Sequence, residues 1–110
     1  MRILLTGGAG YIGSHVLLSI LRDNHEVCII DDLSTGNENL IPENIKFIHC
    51  NINNEGKISA LLQEQKFDIL LHFAGYIRVE ESVQNPKKYF LNNTDNAIKL
   101  FETCYKNGVK

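Results

Sequence analysis

Short apolar runs alternate along this chain with longer stretches in which apolar residues recur every three or four positions. The short runs predict four strands, at residues 3–5, 27–30, 45–50 and 69–73. The longer stretches predict a helix from near Ile12 to Asn24, a helix near residues 55–65, and a long helix that begins at Pro86 and ends near Asn107. Because strands and helices alternate, we expect parallel strands joined by right-handed crossovers.

Each helix is expected to pack through one apolar face. On the first helix, this face comprises Ile12, Val16, Leu17, Ile20 and Leu21. On the last helix, it comprises Phe90, Thr94, Ala97, Phe101 and Cys104. The last helix also carries Asn92, Asn93 and Asn96, which form a solvated face unless one amide orients a ligand.

A glycine-rich segment follows the first predicted strand directly. Gly8, Gly10 and Gly13 match the pattern G-x-G-x-x-G, and Gly7 adds an overlapping G-x-x-G-x-x-G. Glycines at these positions allow a tight turn, a close approach of the backbone to phosphate, and close packing of helix on strand. The first amides of the following helix then point at the bound anion.

Two acidic residues end the second predicted strand. Asp31 and Asp32 come about 20 residues after the glycines, where a carboxylate accepts hydrogen bonds from an adenosine ribose. No lysine or arginine lies between Asp23 and Ile45, so no local charge would offset a 2'-phosphate. The order of strand, glycines, helix, strand and acid predicts a dinucleotide site and favours NAD over NADP.

These elements together predict the fold class α/β, with a Rossmann-like doubly wound parallel sheet. In such a sheet the first and fourth strands are neighbours, and ligands bind in the crevice at their carboxyl ends. The glycine segment and the residues after the fourth strand, from Phe73 to Gly75, should therefore face one pocket.

The composition narrows the class of protein further. The chain has 110 residues, 44% of them hydrophobic, which suits one modest globular domain. Its formal net charge is -2 and its basic residues are scattered, so nucleic acid is not an expected partner. Because no apolar stretch approaches the roughly 20 residues of a membrane span and no signal-peptide pattern opens the chain, we expect a cytoplasmic protein without a membrane partner.

The cysteines and histidines do not predict a metal site. Cys28, Cys50 and Cys104 lie far apart among apolar neighbours, which is typical of small buried side chains in a reducing compartment. Neither they nor the four histidines show the spacing of metal ligands.

Several longer segments carry a family resemblance. Residues 1–15 (MRILLTGGAGYIGSH), 31–36 (DDLSTG), 72–75 (HFAG) and 81–86 (ESVQNP), together with Tyr89, Asn92 and Asn93, resemble successive blocks of the UDP-glucose 4-epimerases. These enzymes belong to the extended short-chain dehydrogenase/reductase group. The resemblance covers essentially the whole chain, and it implies an NAD-binding domain over residues 1–110 that forms the N-terminal part of such an enzyme.

The resemblance implies a place for each part of NAD. Tyr11 and Ile12 would supply amides to the pyrophosphate, and Asp31 would bind the adenosine ribose. The implied cofactor-binding residues are Gly7, Gly10, Tyr11, Ile12, Gly13, Asp31, Asp32, Thr35, Gly36, Asn51, Ile52, Phe73, Ala74, Gly75 and Asn93. The chain departs from the family pattern at Asn51, where Asp is common beside the adenine, and at Ile77, where Lys is frequent.

The resemblance also implies an isomerase that oxidises C4 of a UDP-hexose with bound NAD and returns the hydride to the other face of the sugar. That chemistry needs a Tyr-x-x-x-Lys pair, but no tyrosine of this chain has a lysine four residues on. Val109 and Lys110 resemble the start of a fifth strand, which carries the catalytic serine in the family. We therefore assign no catalytic residue and expect these 110 residues alone to be inactive.

Other functions remain open alongside a UDP-glucose 4-epimerase of galactose metabolism. One alternative is another enzyme of the same group, such as a UDP-N-acetylhexosamine epimerase or a sugar-nucleotide dehydratase. Another is a non-catalytic NAD-binding module. For the intact protein, the resemblance implies a UDP-sugar substrate and a homodimer formed through the helix that begins at Pro86.

Overall fold

A sheet of four parallel strands lies at the centre of the structure, a computed structural model that describes residues 1–34, 36–74, 87 and 94–110. The strands are β1 (Arg2–Thr6), β2 (Glu26–Asp31), β3 (Lys46–His49) and β4 (Ile69–His72). The helices are α1 (Tyr11–Arg22), α2 (Glu55–Glu64) and α3 (Asn96–Lys106), and a short 3-10 helix covers Glu38–Leu40. All four predicted strands are present.

The strand order is β3-β2-β1-β4, with every pair parallel. Leu4 in the middle of β1 lies opposite Cys28 of β2 on one side and Leu70 of β4 on the other. The predicted α/β class and the predicted contact between the first and fourth strands are confirmed. The carboxyl ends of β2, β1 and β4 therefore meet at one edge of the sheet, where such folds bind ligands.

The two faces of the sheet bury separate cores because successive strand residues point to opposite sides. Leu4 and Ile30 belong to the core covered by α2 and α3. Leu5 and Ile29 belong to the core covered by α1. Burial on both faces explains why β1 and β2 have continuous apolar runs rather than an alternation of apolar and polar residues.

Helix α1 packs through fewer residues than its pattern predicts. Leu17 and Ile20 are buried against the sheet, and Val16 and Leu21 are partly buried. Ile12 is exposed, so its predicted place in the packing face is wrong. The core contacts of α1 lie further along the helix, which leaves its first turn free beside the glycine segment.

Helix α3 differs from its predicted packing in two respects. Ala97, Leu100 and Cys104 form its buried seam, whereas Thr94 and Phe101 are exposed. Asn96 is buried rather than solvated. Contact with α2 sets this rotation of the helix, and sequence periodicity does not reveal it. Phe90, Asn92 and the predicted start of this helix at Pro86 lie outside the described residues.

The edge of β4 that does not pair with β1 forms hydrogen bonds with Lys110 at the end of the chain. The Lys110 N–H donates to the Asp68 carbonyl at 3.1 Å, and the Leu70 N–H donates to the Lys110 carbonyl at 2.6 Å. This is the hydrogen-bond pattern of a parallel ladder, as expected for the start of a fifth strand. The four residues of β4 are half-buried, whereas most residues of β1 and β2 are buried.

Candidate cofactor site

The glycine segment between β1 and α1 lies against the residues that follow β4. Gly7 has φ +74°, a left-handed conformation that favours glycine. A Cβ at this position would lie 2.7 Å from the Phe73 carbonyl carbon and the Ala74 nitrogen. A Cβ on Gly13 would overlap the Gly7 carbonyl oxygen. Only glycine therefore fits at these two points, which bring the predicted pyrophosphate and nicotinamide regions together.

Among the residues that the structure describes, the first amides of α1 have no hydrogen-bond acceptor. The helix begins at Tyr11 after Gly10, which has no side chain to cap the first turn. The Ser14 N–H bonds to the Gly10 carbonyl, so the first intrahelical bond leaves the amides of Tyr11, Ile12 and Gly13 directed out of the helix end. Such a terminus attracts an anion through these N–H groups and the helix dipole.

Asp31 joins the glycine segment to β2. Its side chain accepts hydrogen bonds from the Ala9 N–H at 2.9 Å and the Leu33 N–H at 2.8 Å. Asp31 is only 7% exposed, and its bond to Ala9 is buried, whereas its bond to Leu33 is partly buried. Each carboxylate oxygen keeps acceptor capacity after one such bond. The acid expected to bind the ribose is thus also part of the support for the phosphate segment.

Asp32 directly follows β2 and contacts the end of β3 and the loop after it. Its two oxygens accept from the Ser34 N–H at 3.0 Å and the Asn51 side-chain amide at 2.9 Å. His49 Nε2 lies 3.0 Å from the Asp32 carbonyl oxygen. The predicted residues Asp32 and Asn51 are therefore brought together. Ile52 is buried in the core, which leaves its backbone rather than its side chain for any contact with a ligand.

The loop after β2 returns to the glycine segment at the predicted residue Gly36. The Asn37 N–H donates to the Ala9 carbonyl at 2.9 Å. Leu33 has φ +61°, an uncommon conformation for a residue with a side chain, and its N–H is one of the two donors to Asp31. The strained turn therefore supports the carboxylate.

Thr6 and His72 form a contact that sequence reasoning missed. The fully buried Thr6 hydroxyl lies 2.6 Å from His72 Nδ1 and accepts a longer bond of 3.4 Å from the Ala74 N–H. The His72 ring also lies edge-on to Phe101 of α3, with centroids 5.5 Å apart. Through these contacts, the residues after β4 are tied to the end of β1. Both residues lie in segments that carry the family resemblance, but no motif pairs them, and only their places at strand ends indicate the contact.

We expect His72 to make the stability of the protein depend on pH. Burial lowers the pKa of His72 from its usual value, so the unfolded chain takes up a proton near pH 6.5 that the folded protein resists. The free energy of unfolding should therefore fall as the pH drops below about 6.5, down to the lower pKa of the folded state. Urea unfolding at pH 7.5 and pH 5.5 should show this loss in the parent protein and a smaller loss in His72→Asn, in which the side-chain amide takes the place of Nδ1 and can either donate or accept.

The control for this measurement is His15→Asn, since His15 is exposed on α1. It should keep the pH dependence of the parent. An equal loss of stability in the parent and in His72→Asn would contradict the assignment.

The three cysteines are suited to packing rather than to chemistry. All are free and buried. Burial raises the pKa of Cys28 and of Cys104 to about 11, and it also raises that of Cys50. Because the thiolate is the reactive form, none of them is an activated nucleophile at neutral pH.

Three predicted site residues, Thr35, Gly75 and Asn93, lie outside the described residues, as does Ile77. Within the described part of the chain, no group of three or more His, Cys, Asp or Glu residues could hold a metal ion. No helix in that part is long and apolar enough to cross a membrane.

The parallel sheet, the glycine segment under α1 and the buried acid at the end of β2 define an α/β domain of the dinucleotide-binding class. The NAD dependent epimerase/dehydratase family matches residues 3–110, and the chain belongs to that family, whose cofactor is NAD.

Relatives and solved structures agree with this family. A UDP-arabinose 4-epimerase of Arabidopsis thaliana is 39% identical over 98% of this chain, which spans 28% of that relative. A UDP-glucose 4-epimerase of Klebsiella pneumoniae is 36% identical over 100% of this chain and 84% of its own length. The crystal structure of the Thermus thermophilus UDP-glucose 4-epimerase complex with NAD has a TM-score of 0.95 and 32% identity, over 100% of this chain and 35% of that one. The chain thus spans about 30% of the length of most of the first relatives.

Proposed function

We propose that this chain binds NAD along the edge of the sheet where β2, β1 and β4 end. The observation that carries the proposal is the hydrogen bond between the Asp31 carboxylate and the Ala9 N–H, at 2.9 Å and shielded from solvent. It makes the ribose-binding acid and the phosphate-binding segment one rigid unit. That unit has a negative side chain for hydroxyl groups and positive amide ends for the pyrophosphate, which is the distribution of charge that a dinucleotide requires.

The parts of NAD are assigned along this edge in order. The pyrophosphate lies over the amides of Tyr11 and Ile12. The adenosine lies between the loops after β2 and β3, and the nicotinamide lies beside the exposed Phe73 and the half-buried Ala74. The assigned residues at the adenosine end are Asp31, Asp32, Thr35, Gly36, Asn51 and Ile52, and those at the nicotinamide end include Gly75 and Asn93.

Calorimetric titration with NAD and NADP tests this function directly. We expect NAD to bind and NADP to bind at least about a hundredfold more weakly, because Asp31 and Asp32 would repel a 2'-phosphate. Nicotinamide mononucleotide, which lacks the adenosine, should bind far more weakly than NAD. Failure of NAD to bind a protein that is shown to be folded would overturn the proposal.

We further propose that the chain provides the NAD-binding part of a nucleotide-sugar 4-epimerase, with UDP-glucose and UDP-galactose as the substrate pair and a role in galactose metabolism. Its relatives include 4-epimerases of two different nucleotide sugars, so they support the 4-epimerase reaction more strongly than any particular sugar substrate.

No tyrosine of this chain has a lysine four residues on, so the purified chain should not convert UDP-galactose in the presence of NAD. Conversion by this chain would show that another residue supplies the base, whereas a longer protein without activity on any nucleotide sugar would favour a non-catalytic NAD-binding module.

Helix α3 presents an apolar stripe that supports a homodimer. Ile98, Phe101 and Tyr105 lie on one face of α3 and are all exposed, with Tyr105 83% exposed. An exposed apolar stripe on a helix is typical of an interface.

We expect the protein to sediment as a dimer and the double variant Ile98→Ser/Tyr105→Ser to sediment as a monomer. Glu102→Ser, on the same helix, serves as the control and should remain dimeric; a monomeric parent would contradict the proposal.

The three free cysteines support the cytoplasm, a reducing compartment, as the location of the protein.

A further inference from the structure

The side chains of Asp32 and Asn51 join the loops that follow β2 and β3. Asn51 Nδ2 donates to Asp32 Oδ2 at 2.9 Å, across 19 residues of sequence. The other Asp32 oxygen accepts from the Ser34 N–H, and the other polar atom of Asn51 accepts from the Asn53 N–H, both at 3.0 Å. All four polar atoms of the two side chains are thus engaged.

These contacts fix which way the Asn51 amide faces. Its oxygen must face the Asn53 N–H, since both Nδ2 hydrogens are donors, and its nitrogen must face Asp32, which when ionised is acceptor-only. A reversal of the amide would break both bonds at once. Asn51 therefore acts as a donor to Asp32 while it shapes its own loop.

The pair has room for only one negative charge. A carboxylate at position 51 would place an oxygen within hydrogen-bond distance of Asp32 Oδ2, and two like charges that close repel strongly in a half-buried place. The neutral amide at position 51 is therefore the partner that an acid at position 32 requires.

We propose that Asp32 and Asn51 are a pair of positioning residues with a single charge, which holds the loops after β2 and β3 in the arrangement that receives the adenosine end of NAD. This inference rests on the proposed NAD binding and assigns the pair a function in it. Two other contacts join the same loops, from the Cys50 N–H to the Asp31 carbonyl and from the His49 ring to the Asp32 carbonyl, and neither uses the side chain of Asp32 or Asn51.

The geometry of the pair predicts different effects for single and exchanged substitutions at positions 32 and 51. Asn51→Asp brings two carboxylates together, and Asp32→Asn brings two amide nitrogens together, so each single variant loses the bond. In the exchanged variant Asp32→Asn/Asn51→Asp, the amide at position 32 accepts from the Ser34 N–H and donates to the new carboxylate, whose second oxygen accepts from the Asn53 N–H. Every hydrogen bond of the parent is then made again with the charge on the other residue.

The test compares the parent, the two single variants and the exchanged variant in titrations with ADP-ribose and NAD. We expect each single variant to bind ADP-ribose at least about tenfold more weakly, and the exchanged variant to bind within about threefold of the parent. Asn54→Asp is the matched control, because it adds the same charge at the exposed cap of α2, where its oxygen still accepts from the Lys57 N–H. The control should bind like the parent.

Two results would overturn the inference. One is an exchanged variant that binds no better than Asn51→Asp. The other is an exchanged variant that recovers the stability of the parent in urea while the ADP-ribose affinity of all four proteins is the same, which marks a purely structural pair. If the parent itself binds neither nucleotide, the proposed NAD binding fails and the positioning role fails with it. Urea unfolding of the same four proteins still shows whether the pair accepts only one negative charge.

Discussion

Replacement of Gly7 by alanine is expected to lower the free energy of unfolding by about 3 kcal/mol and to abolish NAD binding. Two costs add at this residue. The backbone at φ +74° disfavours any side chain, and the new Cβ would lie 2.7 Å from backbone atoms of Phe73 and Ala74, which cannot move as a side chain can. Urea unfolding and calorimetric titration of Gly7→Ala with NAD measure the two effects.

Gly56→Ala is the matched control for this substitution. Gly56 lies in the first turns of α2, and the nearest atom to a Cβ there is Asn54 Oδ1 at 3.9 Å. Because alanine favours a helix over glycine, Gly56→Ala should leave the stability unchanged or raise it by up to about 1 kcal/mol, with NAD affinity intact. If Gly7→Ala behaves like Gly56→Ala, the close contact between the glycine segment and the residues after β4 is not present in solution.

Asp31→Ala is expected to cost about 3 kcal/mol of stability and to reduce NAD affinity at least about a hundredfold. The stability cost arises because the substitution leaves the N–H groups of Ala9 and Leu33 without their acceptor, and the Ala9 N–H is buried. The loss of affinity arises because the ribose loses its acceptor and the glycine segment loses its anchor. Asp31→Asn retains one acceptor oxygen and should lie between the parent and Asp31→Ala in both measurements.

Asp68→Ala is the control that separates the effect of Asp31 on the cofactor site from the general effect of removing a carboxylate. Asp68 also accepts a backbone hydrogen bond, from the Arg2 N–H at 2.8 Å, but it lies at the exposed opposite end of the sheet. Its loss should cost about 1 kcal/mol or less and should not change NAD affinity. Comparable losses of NAD affinity in Asp68→Ala and Asp31→Ala would show that Asp31 acts on the whole fold rather than on the site.

The local patterns of the sequence predicted the strands well because a strand that is buried on both faces has apolar residues at consecutive positions. The runs around Leu4 and Ile29 are apolar without interruption, since both faces of the sheet are covered there. The patterns were less reliable on the helices. On α3 they included Phe101 in the packing face and omitted Leu100, because two faces about a third of a turn apart are both apolar and only the neighbouring α2 decides between them.

The site residues divide in the same way. The approach of Asp31 to the glycine segment was predictable because their order and spacing match the pattern of dinucleotide-binding segments. The pairing of Thr6 and His72 was not, because they lie 66 residues apart and their contact exists only where β1 and β4 end side by side.

The sequence by itself determined the order of strands and helices, the place of the glycine segment and the acid at the end of β2. These depend on residue type and spacing, which the chain carries locally. The tertiary structure alone decided that Asp31 supports the glycine segment, that Asn51 must be neutral beside Asp32, and that the half-buried His72 contacts Thr6. Each of these is a contact between residues far apart in sequence, and the physical reason is the parallel order β3-β2-β1-β4, which brings four separate strand ends to one edge.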